Sequence, residues 1–315
     1  MNFAWELYEI NDKNIVEDFI QINGGSFFHE PSFFDYHENN SFDSFDLICR
    51  KDNRIVAWLP GYKSKKIYIS PRGASYGGLF FSRSNSLEHN LIIIESLKEY
   101  FKSKGFDKIF ITTPPSIYFG DTNFALSANG FITTQRIACH ILQLTGEKWP
   151  NSMSKSKRYD YRKALRHGLN PTELSGEHYS NFHKLLVKNC LRFNTIPTHS
   201  EVELLLLKKI LPSRIRLFAA MDRNKMSSGI LVFMINPKVA YTFYIVSSES
   251  DDKSGATLVA LVHCIETLQK EGIHWLDLGP GTFKDFVVNK GVSKFKQLMG
   301  SKLFTRDTWS CAFKS

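Results

Sequence analysis

The amino-acid sequence predicts an α/β fold with mixed (α+β) sheets, arranged as two similar domains with a cleft between them. The first observation is a strand-helix-strand pattern in the N-terminal half. An aromatic apolar stretch at 76–81 precedes a helical pattern at 87–104 and a second apolar strand at 108–112. Such a β-α-β unit is a common building block of α/β proteins.

The second observation is that this unit recurs about half a chain later. A strand at 241–246 leads to a helical pattern at 257–270 and a strand at 274–278. Two diverged copies of one unit imply two similar domains, and a cleft between domains is a common place for ligands. We expect an N-terminal domain over 1–150 and a C-terminal domain with the ligand site over 151–315.

The third observation is composition. The chain has 315 residues, 43% of them apolar, including 26 Phe, which is enough for two domains with real cores. No apolar run reaches the roughly 18 residues of a membrane span, and the acidic N-terminus does not resemble a signal peptide. The five Cys are scattered, without a CxxC pair. They indicate reduced thiols in a cytoplasmic protein, and neither a disulfide framework nor a metal site.

The other elements follow from apolar periodicity and from glycines after helix ends. In the first half we expect helices at 12–22 and 121–130, an aromatic-rich loop at 24–36, and strands at 46–50, 54–60, 63–70 and 133–144. A polar stretch at 145–156 precedes the second half. There we expect helices at 154–167, 178–192 and 200–210, and an antiparallel meander at 215–221, 229–235 and 239–247.

The segment between the strand at 241–246 and the next helix is a candidate phosphate site. The first N–H groups of a helix are unpaired and lie at the positive end of its dipole, which favours phosphate. The alternative is a plain capped helix start, which is common, and no glycine-rich phosphate motif strengthens the signal. The candidate residues are Val246, Ser247, Lys253, Ser254, Gly255 and Ala256.

Asp277 is the one acid in the strand that precedes Gly279-Pro280-Gly281. Alternation in a strand places it opposite to its two leucine neighbours. It is therefore either a structural carboxylate with satisfied hydrogen bonds or a site residue that faces a cleft. The following glycines permit the close approach of a ligand to the backbone.

A basic helix follows the polar stretch at 145–156. Lys155, Arg158, Arg162 and Arg166 recur at spacings of three and four, which places them on one face, while Tyr161 lies on another. Most such runs are solvated faces. Here Asp160 is the only acid among them, and the chain carries a net charge of +9, so an anionic partner is the alternative.

The segment 289–300 predicts an amphipathic basic helix that includes Lys296 and ends at Gly300. No HExxH or paired-carboxylate pattern occurs, and the ten His are dispersed. We interpret each His as structural.

Three segments together resemble the Fem-like branch of the GNAT acyltransferases, which carries two GNAT-type domains in one chain. They are Lys157-Arg-Tyr-Asp-Tyr-Arg-Lys-Ala-Leu-Arg-His-Gly168, Trp275-Leu-Asp-Leu-Gly-Pro-Gly281 and Gly291-Val-Ser-Lys-Phe-Lys-Gln-Leu-Met-Gly300. Each is degenerate alone, but their order and spacing are fairly specific. The resemblance covers most of the chain and is strongest from about residue 154 onward.

The resemblance implies N-acyl transfer from acyl-CoA, a co-substrate rather than a permanent cofactor, whose pyrophosphate lies on the backbone of 246–257. The chain is most similar to enzymes that acylate a dTDP-linked amino sugar for surface polysaccharides such as O-antigen. In that interpretation Asp277 accepts the amine proton and Lys296 contributes positive charge. The expected substrate-binding residues are Arg158, Arg162, Tyr161 and Tyr76.

Two alternatives remain open. Fem enzymes that use aminoacyl-tRNA to extend peptidoglycan precursors often carry extra helical arms, and this chain is short and shows no coiled-coil pattern. A non-enzymatic binder of nucleic acid or anionic surfaces is favoured by charge alone. It would show steep salt dependence and no saturable CoA site.

Overall fold

The structure is a computed structural model in which the described residues form two compact units. Within the described residues, the first unit consists of 3–138, Val287 and 305–313. The second unit consists of 139–282 and 288–304. Among these residues no helix is long and apolar enough to cross a membrane. The described residues are 3–36, 42–119, 122–146, 149–249, 254–282 and 287–313.

The first unit contains eight complete strands and four α-helices among its described residues, with the start of the strand Ile132–Gln143 and the end of the strand Lys302–Ala312. The strands are β1 (Ala4–Leu7), β2 (Asp43–Ser44), β3 (Leu47–Lys51), β4 (Arg54–Leu59), β5 (Tyr62–Ser64), β6 (Ile67–Ser70), β7 (Phe80–Phe81) and β8 (Lys108–Thr112). The helices are α1 (Lys13–Ile22), α2 (Leu87–Ser103), α3 (Ser116–Phe119) and α4 (Thr122–Ala128), and three short 3-10 helices lie at Ile10–Asp12, Phe27–His29 and Pro31–Tyr36.

The first copy of the predicted β-α-β unit differs from the expectation. The strand expected at 76–81 is only Phe80–Phe81, and it pairs with β4 in a sheet of order β1-β3-β4-β7. The strand after the helix, β8, instead pairs in parallel with β6 in another sheet. The reason lies at Gly78, which has a φ of +73° and lies so close to β8 that a Cβ would be 3.0 Å from the Thr112 carbonyl oxygen.

The second unit begins within β9 (Ile132–Gln143), whose residues from Cys139 onward belong to it. Its helices are α5 (Lys155–Leu165), α6 (His178–Leu191), α7 (Glu201–Ile210), α8 (Ala256–Lys270) and α9 (Lys290–Leu298). Its strands are β10 (Asn170–Leu174), β11 (Ile215–Asp222), β12 (Lys225–Asn236), β13 (Val239–Ser247) and β14 (Trp275–Pro280), and it holds the start of β15 (Lys302–Ala312).

The sheet of the second unit has the order β10-β11-β12-β13-β14, followed by the end of β9. Neighbouring strands are antiparallel except β13 and β14, which are parallel. Their paired residues are Val239–Tyr241 and Trp275–Asp277. Both strands continue past these paired residues, and β13 remains paired with β12. Strands β13 and β14 therefore separate beyond Tyr241 and Asp277.

Helix α8 covers one face of this sheet, with buried side chains around most of its circumference. A helix that is apolar all round needs burial on most sides, and α8 packs against β10, β11, β12, β13 and α5. This arrangement holds the start of α8 beside α5 and beside the end of β13.

The predicted α/β class is confirmed, and each predicted helix is confirmed to within two residues at either end. Besides the strand expected at 76–81, other strand predictions were wrong or incomplete. The single strand expected at 63–70 is two strands, β5 and β6, because Lys65 takes a turn conformation with a φ of +56°. Strand β10 was missed, because Asn170–Leu174 shows no apolar alternation and contains Pro171.

Candidate active site

Asp277 lies in the second unit at the point where β13 and β14 separate. Its side chain is buried, and Oδ1 accepts a hydrogen bond from the Gly279 backbone N–H at 2.7 Å. The register of β14 against β9 shifts between Asp277 and Pro280, and Gly279 takes a φ of +79°. The carboxylate therefore also stabilises the irregular end of its own strand.

Lys296 of α9 converges on the same strand end. It is only 6% exposed, and Nζ donates to the Pro280 carbonyl oxygen at 2.8 Å. A Cβ on Gly279 would lie 3.7 Å from this Nζ and 3.4 Å from the Tyr241 ring, so the glycine leaves space there. Burial lowers the pKa of Lys296 to about 8, against the opposing effect of the Asp277 carboxylate. The structure thus brings the two predicted catalytic residues together.

His140 of β9 belongs to this cluster, although the sequence analysis did not select it. The ring is fully buried, with Nε2 3.0 Å from Ser293 Oγ and Nδ1 3.1 Å from Ser301 Oγ. Burial and the nearby charge of Lys296 lower the pKa of His140. In the sequence His140 stands out only as a polar residue within an apolar strand, and a histidine with a purely structural role gives the same pattern.

The predicted phosphate site lies at the first turn of α8. Gly255 is its N-cap residue, with a φ of +79°, and as a glycine it has no side chain to cap the helix. The turn borders a cavity of about 350 Å³ that is also lined by Lys157, Lys163 and His167 of the α5 segment. The N–H groups of a first helical turn, its positive dipole end and nearby basic side chains together favour an anion.

The other predicted residues of this site have structural partners. Ser254 lines the cavity, Ala256 is fully buried, and Val246 accepts a hydrogen bond from Ser228 Oγ at 2.7 Å. The Ser247 carbonyl oxygen accepts one from Asn189 Nδ2 at 3.1 Å. Lys253, which we expected to add charge here, lies outside the described residues.

The predicted substrate-binding residues occupy different environments. Arg158 is half-buried and Arg162 exposed on α5, where the Arg162 Nε donates to the Arg158 carbonyl oxygen at 3.3 Å; neither lines the 350 Å³ cavity. Tyr161 packs against the core of the second unit. Tyr76 belongs to the first unit, fully buried with its ring 5.0 Å from that of Phe28. The basic helix therefore borders the predicted phosphate site, through residues other than the selected arginines.

Comparison with known proteins shows the fold. No protein-family model matches the chain, and no curated protein matches it. Among solved structures it is similar to FemX, with 13% identity over 99% of this chain and 98% of that chain and a TM-score of 0.72. It is also similar to L-PGS from Bacillus licheniformis, with 11% identity over 96% of this chain and 93% of that chain and a TM-score of 0.63.

A third similar structure is a tandem GNAT protein from the clavulanic acid biosynthesis pathway, with 10% identity over 100% of both chains and a TM-score of 0.56. The chain has a tandem GNAT fold. The expectation of a tandem GNAT-like α/β fold is thereby confirmed. At these identities the likeness concerns fold, so the chemistry has to be argued from the residues of this chain.

The contact between α5 and α8 gives a stability prediction. A Cβ on Gly255 would lie 2.7 Å from the Ala164 Cβ, whereas Gly168, with a similar φ of +71°, has no atom within 4 Å of its Cβ position. Alanine at either position carries the left-handed backbone cost of roughly 1–2 kcal/mol. We expect Gly255→Ala to lose about 1–3 kcal/mol more than Gly168→Ala, because it also overpacks the contact.

Urea unfolding followed by circular dichroism measures both losses, with Gly168→Ala as the matched control. Equal losses of unfolding free energy in the two variants would show that α5 does not pack against the start of α8.

Proposed function

We propose that this protein is an N-acyltransferase that moves an acyl group from acyl-CoA to an amine. The observation that carries the proposal is the first turn of α8, which starts at a glycine and borders a cavity of about 350 Å³ lined by three basic side chains and one acid. A diphosphate fits such a turn, because it accepts several backbone hydrogen bonds and carries the complementary charge. The resemblance found in the sequence implies a CoA pyrophosphate in the same segment.

Three basic side chains line the cavity at this turn, namely Lys157, Lys163 and His167. Lys157 also forms an ion pair with Asp160 at 2.8 Å. We assign Lys163 and His167 to the donor phosphates. Arg158 and Arg162 lie outside the cavity and remain our candidates for the phosphates of the acceptor, since Arg can bind phosphate bidentately.

The chemistry requires a neutral amine held against the thioester carbonyl. The amine nitrogen forms a bond to the carbonyl carbon, the oxyanion collapses, the C–S bond breaks, and the thiolate leaves as CoA. Orientation alone contributes roughly 7–11 kcal/mol to such a step. The amine proton passes to Asp277 in our proposal, and the Lys296 ammonium stabilises the oxyanion. The two side chains support these roles because they lie together where β13 and β14 separate.

For the acceptor we propose the amine of a nucleotide-linked amino sugar, used in the cytoplasm for surface polysaccharide. This rests on the sequence resemblance and on the cations of α5. In this proposal Arg158 and Arg162 bind the phosphates of the nucleotide.

An aminoacyl-tRNA is the alternative donor, with FemX among the structures of similar fold. One observation favours it. Among the described residues, Lys157 is the one basic residue in the segment 155–168 for which the structure shows an ion pair. The remaining cations give a basic surface that suits an extended polyanion as well as one nucleotide. They are Lys155, Arg158, Arg162, Lys163 and Arg166.

The proposed site for the CoA phosphates predicts that one substitution on α5 weakens CoA binding, whereas a second substitution on the same helix does not. Lys163→Ala removes a charge-assisted contact to phosphate, worth about 1.5–3 kcal/mol, so we expect the Kd for CoA to rise about 10-fold or more. Lys155→Ala is the matched control, since Lys155 is exposed on the same helix and does not line the cavity. Calorimetric titration with CoA measures both.

An equal change in the Kd for CoA in the two variants would show that CoA binds elsewhere.

A second experiment identifies the donor. The wild-type protein is incubated with a dTDP-linked amino sugar and either acetyl-CoA or aminoacyl-tRNA, and the mass of the product shows which donor was used. Acylation from the tRNA alone would replace our donor, and product from neither, with steeply salt-dependent nucleic-acid binding, would support the non-enzymatic alternative.

Asp277→Asn is nearly isosteric and tests the charge of this carboxylate. Loss of a general base typically costs 10²–10⁴-fold, so we expect kcat to fall by about that factor while CoA affinity is retained. Far-UV circular dichroism and thermal unfolding of the variant serve as controls for folding. A folded variant with wild-type kcat would contradict the assignment of Asp277 as proton acceptor.

The proposed role of the Lys296 ammonium predicts how kcat changes at alkaline pH. With its pKa lowered to about 8 by burial, Lys296 carries its charge below that pH and loses it above. We therefore expect kcat, measured at saturating substrates, to fall as the pH rises through about 8. A kcat that instead rises through this range would make neutral Lys296 the base and remove its role as a cation.

A further inference from the structure

His140 contacts two serines that flank Lys296 in the sequence. Ser293 lies one turn before Lys296 on α9, and Ser301 follows the helix. The ring nitrogens of His140 lie 3.0 Å from Ser293 Oγ and 3.1 Å from Ser301 Oγ. We propose that His140 is a positioning residue that fixes α9 and thereby holds the Lys296 amine at the end of β14. The catalytic consequence rests on the proposed function, in which Lys296 acts at the reacting carbonyl.

The hydrogen bonds define the tautomer of this ring. Ser301 Oγ donates its proton to the Lys296 carbonyl oxygen at 2.8 Å, so towards His140 it acts as an acceptor. His140 Nδ1 therefore carries the proton and donates. In the neutral ring Nε2 is then an acceptor, and the Ser293 hydroxyl donates to it. One chain of hydrogen bonds thus runs from Ser293 through His140 and Ser301 to the backbone of Lys296.

The ring is also enclosed sterically. Gly281 follows β14, and a Cβ at this glycine would lie 2.4 Å from His140 Nε2. The Gly281 carbonyl oxygen accepts a hydrogen bond at 2.9 Å from the backbone N–H of Asn289, the N-cap residue of α9. The end of β14 and the start of α9 are therefore tied together beside the His140 ring, which leaves the imidazole little freedom to turn.

The charges around the Lys296 amine agree with a neutral His140. Asp277 of β14 and Cys139 of β9 favour the ammonium, while burial opposes it. A protonated His140 on β9 would add a second positive charge. Burial and Lys296 lower the pKa of His140, so the ring stays neutral at pH 7 and gains a proton only as the pH falls below its usual range. The positive charge in the cluster then remains on Lys296.

The test compares two substitutions of His140. Asn places an amide nitrogen near the position of Nδ1 and can still donate to Ser301, whereas Phe fills the space without hydrogen bonds. The first readout is labelling of Lys296 by acetic anhydride at varied pH, followed by peptide mass spectrometry. We expect a midpoint near 8 in the wild type. In His140→Phe it should move up towards 10.5, because a released amine regains water, and in His140→Asn it should stay close to the wild-type value.

His199→Phe is the matched control. His199 is also buried in the second unit, with Nδ1 3.0 Å from Tyr244 Oη, and it is not part of the His140 cluster. Its substitution should leave the labelling midpoint of Lys296 unchanged. If His140→Phe does not fold, Ser301→Ala removes the same hydrogen-bond link and should raise the midpoint in the same direction.

Kinetics provide the second readout. A displacement of about 1 Å can cost around 10²-fold, so we expect His140→Phe to lower kcat by about that factor with the KM for acyl-CoA unchanged, and His140→Asn to recover most of it. A folded His140→Phe protein that keeps the wild-type labelling midpoint overturns the inference, as does an equal midpoint in the Asn and Phe variants. Labelling needs no turnover, so it decides the inference even if the wild-type protein transfers no acyl group.

Discussion

The burial of one amine is the constraint on which the rest of the candidate site depends. A side-chain ammonium that is 6% exposed is stable only if an acceptor and a counter-charge replace its water. For Lys296 the acceptor is the Pro280 carbonyl oxygen, and the nearby negative charge is that of Asp277. Both belong to the end of β14, so this strand must end irregularly, and α9 must be held against it. The bend at Gly279, the Asn289–Gly281 hydrogen bond and the enclosed His140 all serve that requirement.

The two copies of the strand-helix unit differ in how their helix starts are satisfied. In the first unit Ser86 Oγ accepts the His89 N–H at the start of α2, and Asn23 accepts the Arg83 N–H at 2.8 Å in the turn before it. In the second unit α8 starts at Gly255, which has no side chain to cap the helix. The N–H groups of a helix start need a partner. In our proposal a phosphate of the acyl donor is that partner in the second copy, whereas the first copy uses side chains.

The sequence predicts the helices and most strands well, because apolar periodicity and glycine after helix ends are local signals. It failed at 76–81, where a close backbone approach at Gly78 shortens the strand, and at β10, which lacks alternation. The site was predicted in part. Asp277 and Gly255 follow from strand and turn patterns, but the position of Lys163 beside Gly255 depends on the tertiary contact of Ala164 with α8. His140 was beyond prediction, since its partners lie over 150 residues away in the chain.

The lowered pKa of Lys296 bears on how the acceptor amine becomes a nucleophile. Loss of water lowers the pKa of Lys296 to about 8 even with a carboxylate close by. A substrate amine that enters the same environment meets the same loss of water, and the Lys296 charge opposes its protonation further. In the reaction that we propose, binding alone would shift the substrate amine towards its neutral form before the bond to the carbonyl carbon forms. Asp277 would then need to accept a proton only from the positively charged nitrogen of the tetrahedral intermediate, a much stronger acid than the free ammonium.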